Sequence, residues 1–290
     1  MSDISFFSYT HSDLCLMPSR PEESNKGTFG RVLCVCGSRG MAGAAYLAGK
    51  AALRVGAGLV EILTPEENRT VLQTLLPEAI LTAYDSDSPC VHTVEQAVKR
   101  ADAIACGCGL GVTRQSLSVL SHVLRASQVP TVLDADALNL LSRNPSLLKY
   151  ARGKIITPHP LEMSRLCGLS ADEICADRPA VCHDFAKKHS LVCVLKGHQT
   201  AVSDGGDAVY INRSGNSGMA TGGSGDVLAG ILGGISSQAR NTDLSALQVA
   251  ALGVYIHGLC GDAAAAQLGE YSVIASDIIS ALPKVLKGIK

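Results

Sequence analysis

The stretch Asn216-Ser-Gly-Met-Ala-Thr-Gly222-Gly223-Ser224-Gly225-Asp226-Val-Leu-Ala-Gly230 joins a loop of small residues to one carboxylate and then to an apolar, helix-like run. Glycines leave no Cβ atoms in the way of an anion approaching backbone N–H groups. A helix that begins behind such a loop turns its partial positive end toward the same anion. Asp226 is out of character in a phosphate cradle, because its charge repels the ligand unless it has a chemical task. The task that suits it is accepting the proton of a hydroxyl that attacks phosphorus. A Gly-rich helix start also serves as a plain packing device, but the order Gly-Gly-Ser-Gly-Asp is more specific than packing requires. The stretch therefore reads as a site of phosphoryl transfer from a nucleotide, with Asp226 as the base.

Upstream of this stretch, short apolar runs alternate with helical patterns. Strands are expected over Arg31–Cys36, Leu59–Leu63, Ala103–Cys106, Thr131–Leu133, Lys154–Ile156 and Leu191–Leu195. Ala201–Ser203 and Ala208–Ile211, separated by Asp204-Gly-Gly-Asp207, read as a hairpin. Helices are expected over Gly43–Val55 and Arg114–Ala126, and the chain beyond Asp226 reads as helical over Val227–Ser236, Leu244–Leu268 and Ser276–Leu286. Such alternation predicts an α/β fold, a mainly parallel sheet with helices on both faces. The candidate functional residues share one position, just after strands: Gly107–Gly111, Asp134, His159 and Lys196. Ligands of parallel sheets bind outside the carboxyl ends of the strands, so these residues are expected to converge.

Each motif also has a plainer reading. Gly37-Ser-Arg-Gly40-Met-Ala-Gly43 follows a strand and opens a helix, but it lacks the spacing of a dinucleotide fingerprint or a Walker A loop. Gly107-x-Gly109-x-Gly111 is a close-approach loop or a simple turn. In Asp134-Ala-Asp136, capping of the following helix accounts for one acid and leaves the other for substrate or metal. His159 lies between Pro158 and Pro160, which fix the backbone around it, and Glu162 falls where a first-turn carboxylate is favourable in any case. Lys196, at a strand end before Gly197, suits nucleotide phosphates as a point charge or is a solvated turn lysine.

Composition excludes several classes. With 290 residues, 47% hydrophobic, the chain is long enough for a large core, and a net charge of −1 gives no basic footprint for nucleic acid or membrane. Trp is absent and aromatics make up 4%, so base-stacking platforms are not expected. The eleven cysteines include no C-x-x-C pair and read as reduced, buried thiols of a cytoplasmic protein rather than a metal site. Neither a signal peptide nor an uncharged apolar span is seen. Residues 1–26 are polar and irregular and read as an N-terminal arm; residues 27–290 read as a single domain.

Taken together, Lys26-Gly27-Thr28-Phe29-Gly30, Gly40-Met41-Ala42-Gly43-Ala44-Ala45, Gly107-x-Gly109-Leu110, Asp134-Ala135-Asp136-Ala137-Leu138, Thr157-Pro158-His159-Pro160-x-Glu162, Lys196-Gly197-x-x-Thr200 and the Asn216–Asp226 stretch resemble the NAD(P)H-hydrate dehydratases of the ribokinase-like superfamily. The likeness runs from about residue 26 to the C-terminus in order and spacing. It implies a ribokinase-like three-layer sandwich. It also implies a repair enzyme that uses ADP or ATP, with Mg2+, to dehydrate the S-epimer of NADH hydrate or NADPH hydrate. Asp226 would be catalytic, and Ala44, Gly109, His159 and Asp226 would contact the hydrate. Lys196, Gly197, His198, Gln199, Thr200, Asn216, Gly222, Gly223, Ser224 and Gly225 would hold the nucleotide, and no protein metal ligands are assigned. The family prefers Thr where Ser224 stands, a change that keeps the hydroxyl and the N–H. A homotetramer is expected, with the epimerase activity on another chain or missing, because about 25 residues before the first motif are too few for one. Two other readings remain. A small-molecule kinase of the same superfamily would keep Asp226 but bind a smaller alcohol. A non-catalytic nucleotide-binding protein would do better without the Asp226 charge.

Overall fold

The strand-like runs are apolar at consecutive positions, so a sheet made of them has to be covered on both faces. The computed structural model describes residues 4–289. Its strands are β1 (Ser5–Phe7), β2 (Arg31–Val35), β3 (Leu59–Pro65), β4 (Ile80–Tyr84), β5 (Ala103–Cys106), β6 (Thr131–Leu133), β7 (Ile155–Ile156), β8 (Val192–Leu195), β9 (Ala201–Ser203) and β10 (Ala208–Ile211). Its helices are α1 (Ala42–Arg54), α2 (Arg69–Leu75), α3 (Val91–Arg100), α4 (Arg114–Ala126), α5 (Asp136–Arg143), α6 (Pro160–Cys167), α7 (Ala171–Ala176), α8 (Arg178–His189), α9 (Ser224–Ala239), α10 (Ala246–Leu268) and α11 (Ala275–Val285).

The strands form one sheet in the order β1-β10-β9-β8-β7-β6-β5-β2-β3-β4. All neighbours are parallel except where β9 pairs with β8 and β10. The hairpin is therefore an excursion at one side of a parallel sheet. Its outer edge is covered by β1, which belongs to the N-terminal arm and pairs Ser5 with Ala208 and Phe7 with Tyr210. The register sets Cys106 beside Leu133, Leu133 beside Ile156 and Ile156 beside Cys193. The next residues out of these strands leave along one carboxyl edge.

Alternation within each strand splits the core into two layers. Val32 and Cys34 face a cluster with α1, α2, α9, α10 and α11; Leu33 and Val35 face a cluster with α3 to α8. The chain is thus a three-layer α/β sandwich, as the pattern of the sequence predicts. The elements differ from expectation in two ways. The segment between Glu66 and Arg100 holds α2, β4 and α3, and residues 171–189 hold α7 and α8, none of which the sequence reading assigned. And α9 starts at Ser224 rather than Val227, because Gly223 takes a left-handed φ of +88° and turns the chain into the helix early.

Helix α9 is buried at every position from Val227 to Ala239. It fits because glycines face its neighbours. A Cβ on Gly230 would overlap the carbonyl oxygen of Ala48 in α1, and one on Gly234 would strike Val55 beyond the end of that helix. On the sheet side, a Cβ on Gly233 would lie 3.2 Å from Val32 and 3.4 Å from Ala105. Helix α10 is long and apolar enough to cross a membrane by composition alone, but its most apolar window is 72% buried inside the protein, where it packs on α9 and α11.

Gly230→Ala is expected to destabilise the protein by about 1–3 kcal/mol through overpacking, although alanine is the better helix former by about 1 kcal/mol. A urea melt whose midpoint is unchanged or raised would show that α1 and α9 have room to separate.

Candidate active site

The carboxyl edge of the sheet opens into a cavity of about 1050 Å3, lined by residues from segments far apart in the chain. Of the residues expected to act, His159, Lys196, Gly197, His198, Gln199, Thr200, Asn216, Gly223, Ser224, Gly225 and Asp226 line it. Gly222 is exposed and lies outside the lining. Ala44 and Gly109 are also outside it; a Cβ on Gly109 would come within 2.8 Å of the Ala44 Cβ, so the two loops meet each other. They abut the site through Cys108, next to Gly109, whose thiol lies close enough to lower the proton affinity of Asp226.

Asp226 sits in the first turn of α9 rather than in the loop before it. The Ser224 N–H reaches the Thr221 carbonyl at 3.4 Å, whereas those of Gly225 and Asp226 find no backbone acceptor among the described residues. Gly225 also leaves space above itself: a Cβ there would stand 3.4 Å from Lys196 Nζ and 3.5 Å from Asp134 Oδ2. Free donors, the positive end of a sixteen-residue helix and one ammonium thus surround a single point. Burial pushes the Asp226 carboxyl up to about 6; the Cys108 thiol and Lys196 draw it down, and Asp134 and Asp136 add to the rise. A carboxylate with that affinity for protons is matched to general-base work near neutral pH.

Lys196 leaves β8 and binds Asp134 Oδ1 at 2.7 Å, with Glu162 Oε2 at 3.9 Å. Burial alone pulls a lysine down, but the two carboxylates outweigh it and hold Lys196 above its ordinary value, so it is a fixed cation. Asp134, 2% exposed, is thereby committed to Lys196. Its companion Asp136 accepts the Gly111 N–H at 2.8 Å and so holds the Gly107–Gly111 turn. Neither acid caps α5 with its side chain, because the chain enters that helix through Ala135 at φ +49°, which aims both carboxylates elsewhere. A strained residue beside a ligand cavity is a common place to store such a conformation.

His159 has two duties. Its Nδ1 accepts the N–H groups of Leu161 at 3.1 Å and Glu162 at 3.4 Å, capping α6, while Glu162 Oε2 accepts the His159 N–H at 2.8 Å. Burial, then Lys196, lower its pKa, so the ring is neutral and keeps Nε2–H toward Glu162 and the cavity. Burial likewise raises Glu162. The Lys196–Thr200 turn is closed by Thr200 Oγ1, which donates to the Gly197 carbonyl at 3.0 Å, and is braced by Arg178, which donates to the His198 carbonyl at 2.5 Å. Asn216 lines the cavity, yet its amide is occupied within the chain: Oδ1 accepts from Gly218 and Nδ2 donates to Asp262.

Three contributors were not anticipated from the sequence: Arg178, Asp262 and His257. His257 lines the cavity, with Nε2 3.3 Å from the Ser224 hydroxyl, and burial pulls it down to about 4, so it is neutral. Asp262 accepts the Gly215 N–H at 2.9 Å and pins the loop before α9. Both lie on α10, where a His and an Asp within an otherwise apolar helix are the signal that marks them.

The profile of the NAD(P)H-hydrate dehydratase family matches residues 32–284. A bifunctional NAD(P)H-hydrate repair enzyme of Moorella thermoacetica is 38% identical over 283 residues, covering 94% of this chain and 52% of that protein. The chain therefore spans about half the length of such bifunctional relatives. An ADP-dependent (S)-NAD(P)H-hydrate dehydratase of Neisseria meningitidis is 38% identical over 250 residues, covering 84% of this chain and 80% of its own. Among solved structures, an ADP/ATP-dependent NAD(P)H-hydrate dehydratase from Bacillus subtilis, co-crystallised with ATP and Mg2+, superposes with a TM-score of 0.82 at 29% identity over the whole of both chains. The chain belongs to the NAD(P)H-hydrate dehydratase family, within the ribokinase-like superfamily.

Because the folded-state pKa of Asp226 lies above its unfolded value of 3.8, ionisation costs stability progressively as pH rises from 3.8 to about 6, in full above that, and not at all below 3.8. Asp226→Asn is therefore expected to stabilise the fold by on the order of 1–2 kcal/mol at about pH 8 and to change little at about pH 3. Denaturant melts at the two pH values check this; a variant less stable than the parent at the higher pH would contradict it.

Proposed function

We propose that this chain, as a member of that family, restores NADH and NADPH by dehydrating the S-epimer of their hydrates at the expense of a nucleotide. The observation that carries this reading is Asp226 at the free N-terminus of α9, facing Lys196 in one cavity of about 1050 Å3. That volume suits a nucleotide together with part of a large second substrate better than a single small alcohol.

The chemistry follows from the residues. Hydroxide leaves carbon poorly, and phosphate leaves well. Asp226 takes the proton of the 6-hydroxyl as its oxygen attacks the terminal phosphorus of the nucleotide, and the diphosphate bridge breaks to release AMP from ADP, or ADP from ATP. The N–H groups of Gly225 and Asp226, with Lys196, stabilise charge on the transferring phosphoryl group. The ring nitrogen then expels phosphate from C6 and C5 loses a proton, which restores the double bond. His159 lines the hydrate side, with the Ala44 and Gly109 loops packed against each other beside it, while the Lys196–Thr200 turn and the Gly223–Gly225 segment hold the nucleotide. Asn216 and Asp262 act by shaping that segment.

Among the described residues no group of three or more His, Cys, Asp or Glu side chains forms a metal cage. Mg2+ needs only one or two protein carboxylates beside phosphate and water. Glu162, facing the cavity and only distantly paired with Lys196, would hold such an ion, whose contribution is to neutralise phosphate charge. The reading includes ADP as the main donor, a cytoplasmic setting, a homotetramer and an epimerase activity that supplies the S-epimer.

The test is to mix the protein with NADH hydrate, Mg2+ and either ADP or ATP and follow reduced-nicotinamide absorbance. Recovery with at least one nucleotide is expected, and none with either would sink the proposal in favour of a small-molecule kinase. Asp226→Asn should lower kcat by about 10^2–10^4-fold while nucleotide binding stays within a few-fold of the parent. In the parent protein, kcat/KM should drop about tenfold for each pH unit below about 6, because a protonated Asp226 cannot accept the hydroxyl proton. A profile flat down to about pH 5 would remove Asp226 as the base.

A further inference from the structure

A second cavity, of about 450 Å3, lies at the opposite edge of the sheet, beneath the amino ends of β6 and β7. Helix α9 separates it from the first: Ser224 to Asp226 belong to the upper cavity and Ser236 and Ala239 to the lower, about 15–20 Å apart along the helix axis. Helix α10 runs back the other way, with Ala246 and Val249 below and Val254 and His257 above.

The lower cavity is lined by Lys154, Arg152 and Arg240 and by no carboxylate. Arg240 is neutralised by Asp102. Lys154 is different. It is only 8% exposed, makes no ion pair among the described residues, and is shifted downward by burial with no carboxylate to restore it. Its stem is covered while its ammonium is open to the cavity with no carboxylate beside it, so an anion entering there meets an uncompensated positive charge. Two further features point into the same space. The first turn of the 23-residue helix α10 begins at its rim, where the N–H groups of Ala246 and Leu247 meet no backbone acceptor while Ser245 Oγ takes that of Gln248. And Ser236, 3% exposed, stands in the wall with a hydroxyl that has no hydrogen-bond partner.

We propose that this lower cavity binds a small phosphate monoester, with Lys154 as its central cation. Two cations with no ion pair among the described residues, Lys154 and Arg152, and a helix N-terminus match a headgroup of charge about −1.5 to −2 better than a single carboxylate. Val129, Ile155, Leu244 and Val249 give the carbon portion of the ester an apolar wall. The volume admits a molecule of sugar-phosphate size and excludes a dinucleotide. The site is independent of the reaction proposed for the upper cavity.

Titration calorimetry with glycerol 3-phosphate tests the assignment. The parent protein should bind it, Lys154→Met should weaken binding by about tenfold or more, and the upper-cavity variant Lys196→Met should retain it. Lys154→Met should melt no lower than the parent, since it removes an unpaired buried charge. Should that variant fail to fold, Arg152→Glu, at an exposed position, must weaken the ester by several-fold. Absence of binding, equal affinity in the Lys154 or Arg152 variant, or loss confined to Lys196→Met would overturn the proposal. Inorganic phosphate binding as tightly as the ester would overturn the commitment to a monoester.

Discussion

The close burial of α9 is the constraint from which the rest of the molecule follows. A helix sealed on all sides has no solvent face, so its contacts with α1, the sheet and α10 must all be made at once. Glycines at 230, 233 and 234 bring the neighbouring backbones near enough for that, and in α10 Gly253 does the same against Leu232. Held this way, the helix has neither axial nor rotational freedom. Its first turn, with Asp226 and the free N–H groups, is thereby fixed against the carboxyl edge of the sheet. Packing energy spent far below the cavity becomes positional accuracy within it.

Electrostatics at that edge is a balance among like charges. Asp134, Glu162 and Asp226 crowd one ammonium, and Lys196 divides itself between the first two. Asp226, with Lys196 only as a secondary influence, is left to burial and ends with a raised proton affinity. The same arrangement keeps His159 and His257 neutral, so neither imidazole competes with Lys196 as a cation. A carboxylate buried beside other carboxylates costs stability, a cost that proteins accept where a site's chemistry and its folding make opposite demands.

Much of this could be read from residue order. Apolar runs ending in Asp134, His159 and Lys196 mark strand ends, and a parallel sheet has only one carboxyl edge to which they go. The elements that were not legible are those whose partners are remote or whose faces are half exposed. Strand β1 comes from a polar arm and exists only because Tyr210 and its neighbours offer it an edge some two hundred positions later. Strand β4 is at the other edge, with Ile80 exposed, and α2 has a single buried residue, Leu72. The residues Arg178, His257 and Asp262 carry no motif of their own; Arg178 and Asp262 reach the cavity through the loops they brace, and His257 through its contact with Ser224.

By itself the sequence determined the α/β class, the parallel sheet, the hairpin, the family and the residues that gather at the carboxyl edge, because periodicity and motif spacing are local quantities. Only the tertiary structure decided that Asp226 belongs to the first helical turn, that Asp134 is bound to Lys196 while Asp136 holds a turn, and that Ala44 meets Gly109 outside the cavity. It also decided that an unremarkable Lys154 is buried without a counter-charge. Which side chain faces which depends on how helices and strands pack, and packing is a property of distances between segments that sequence order does not contain.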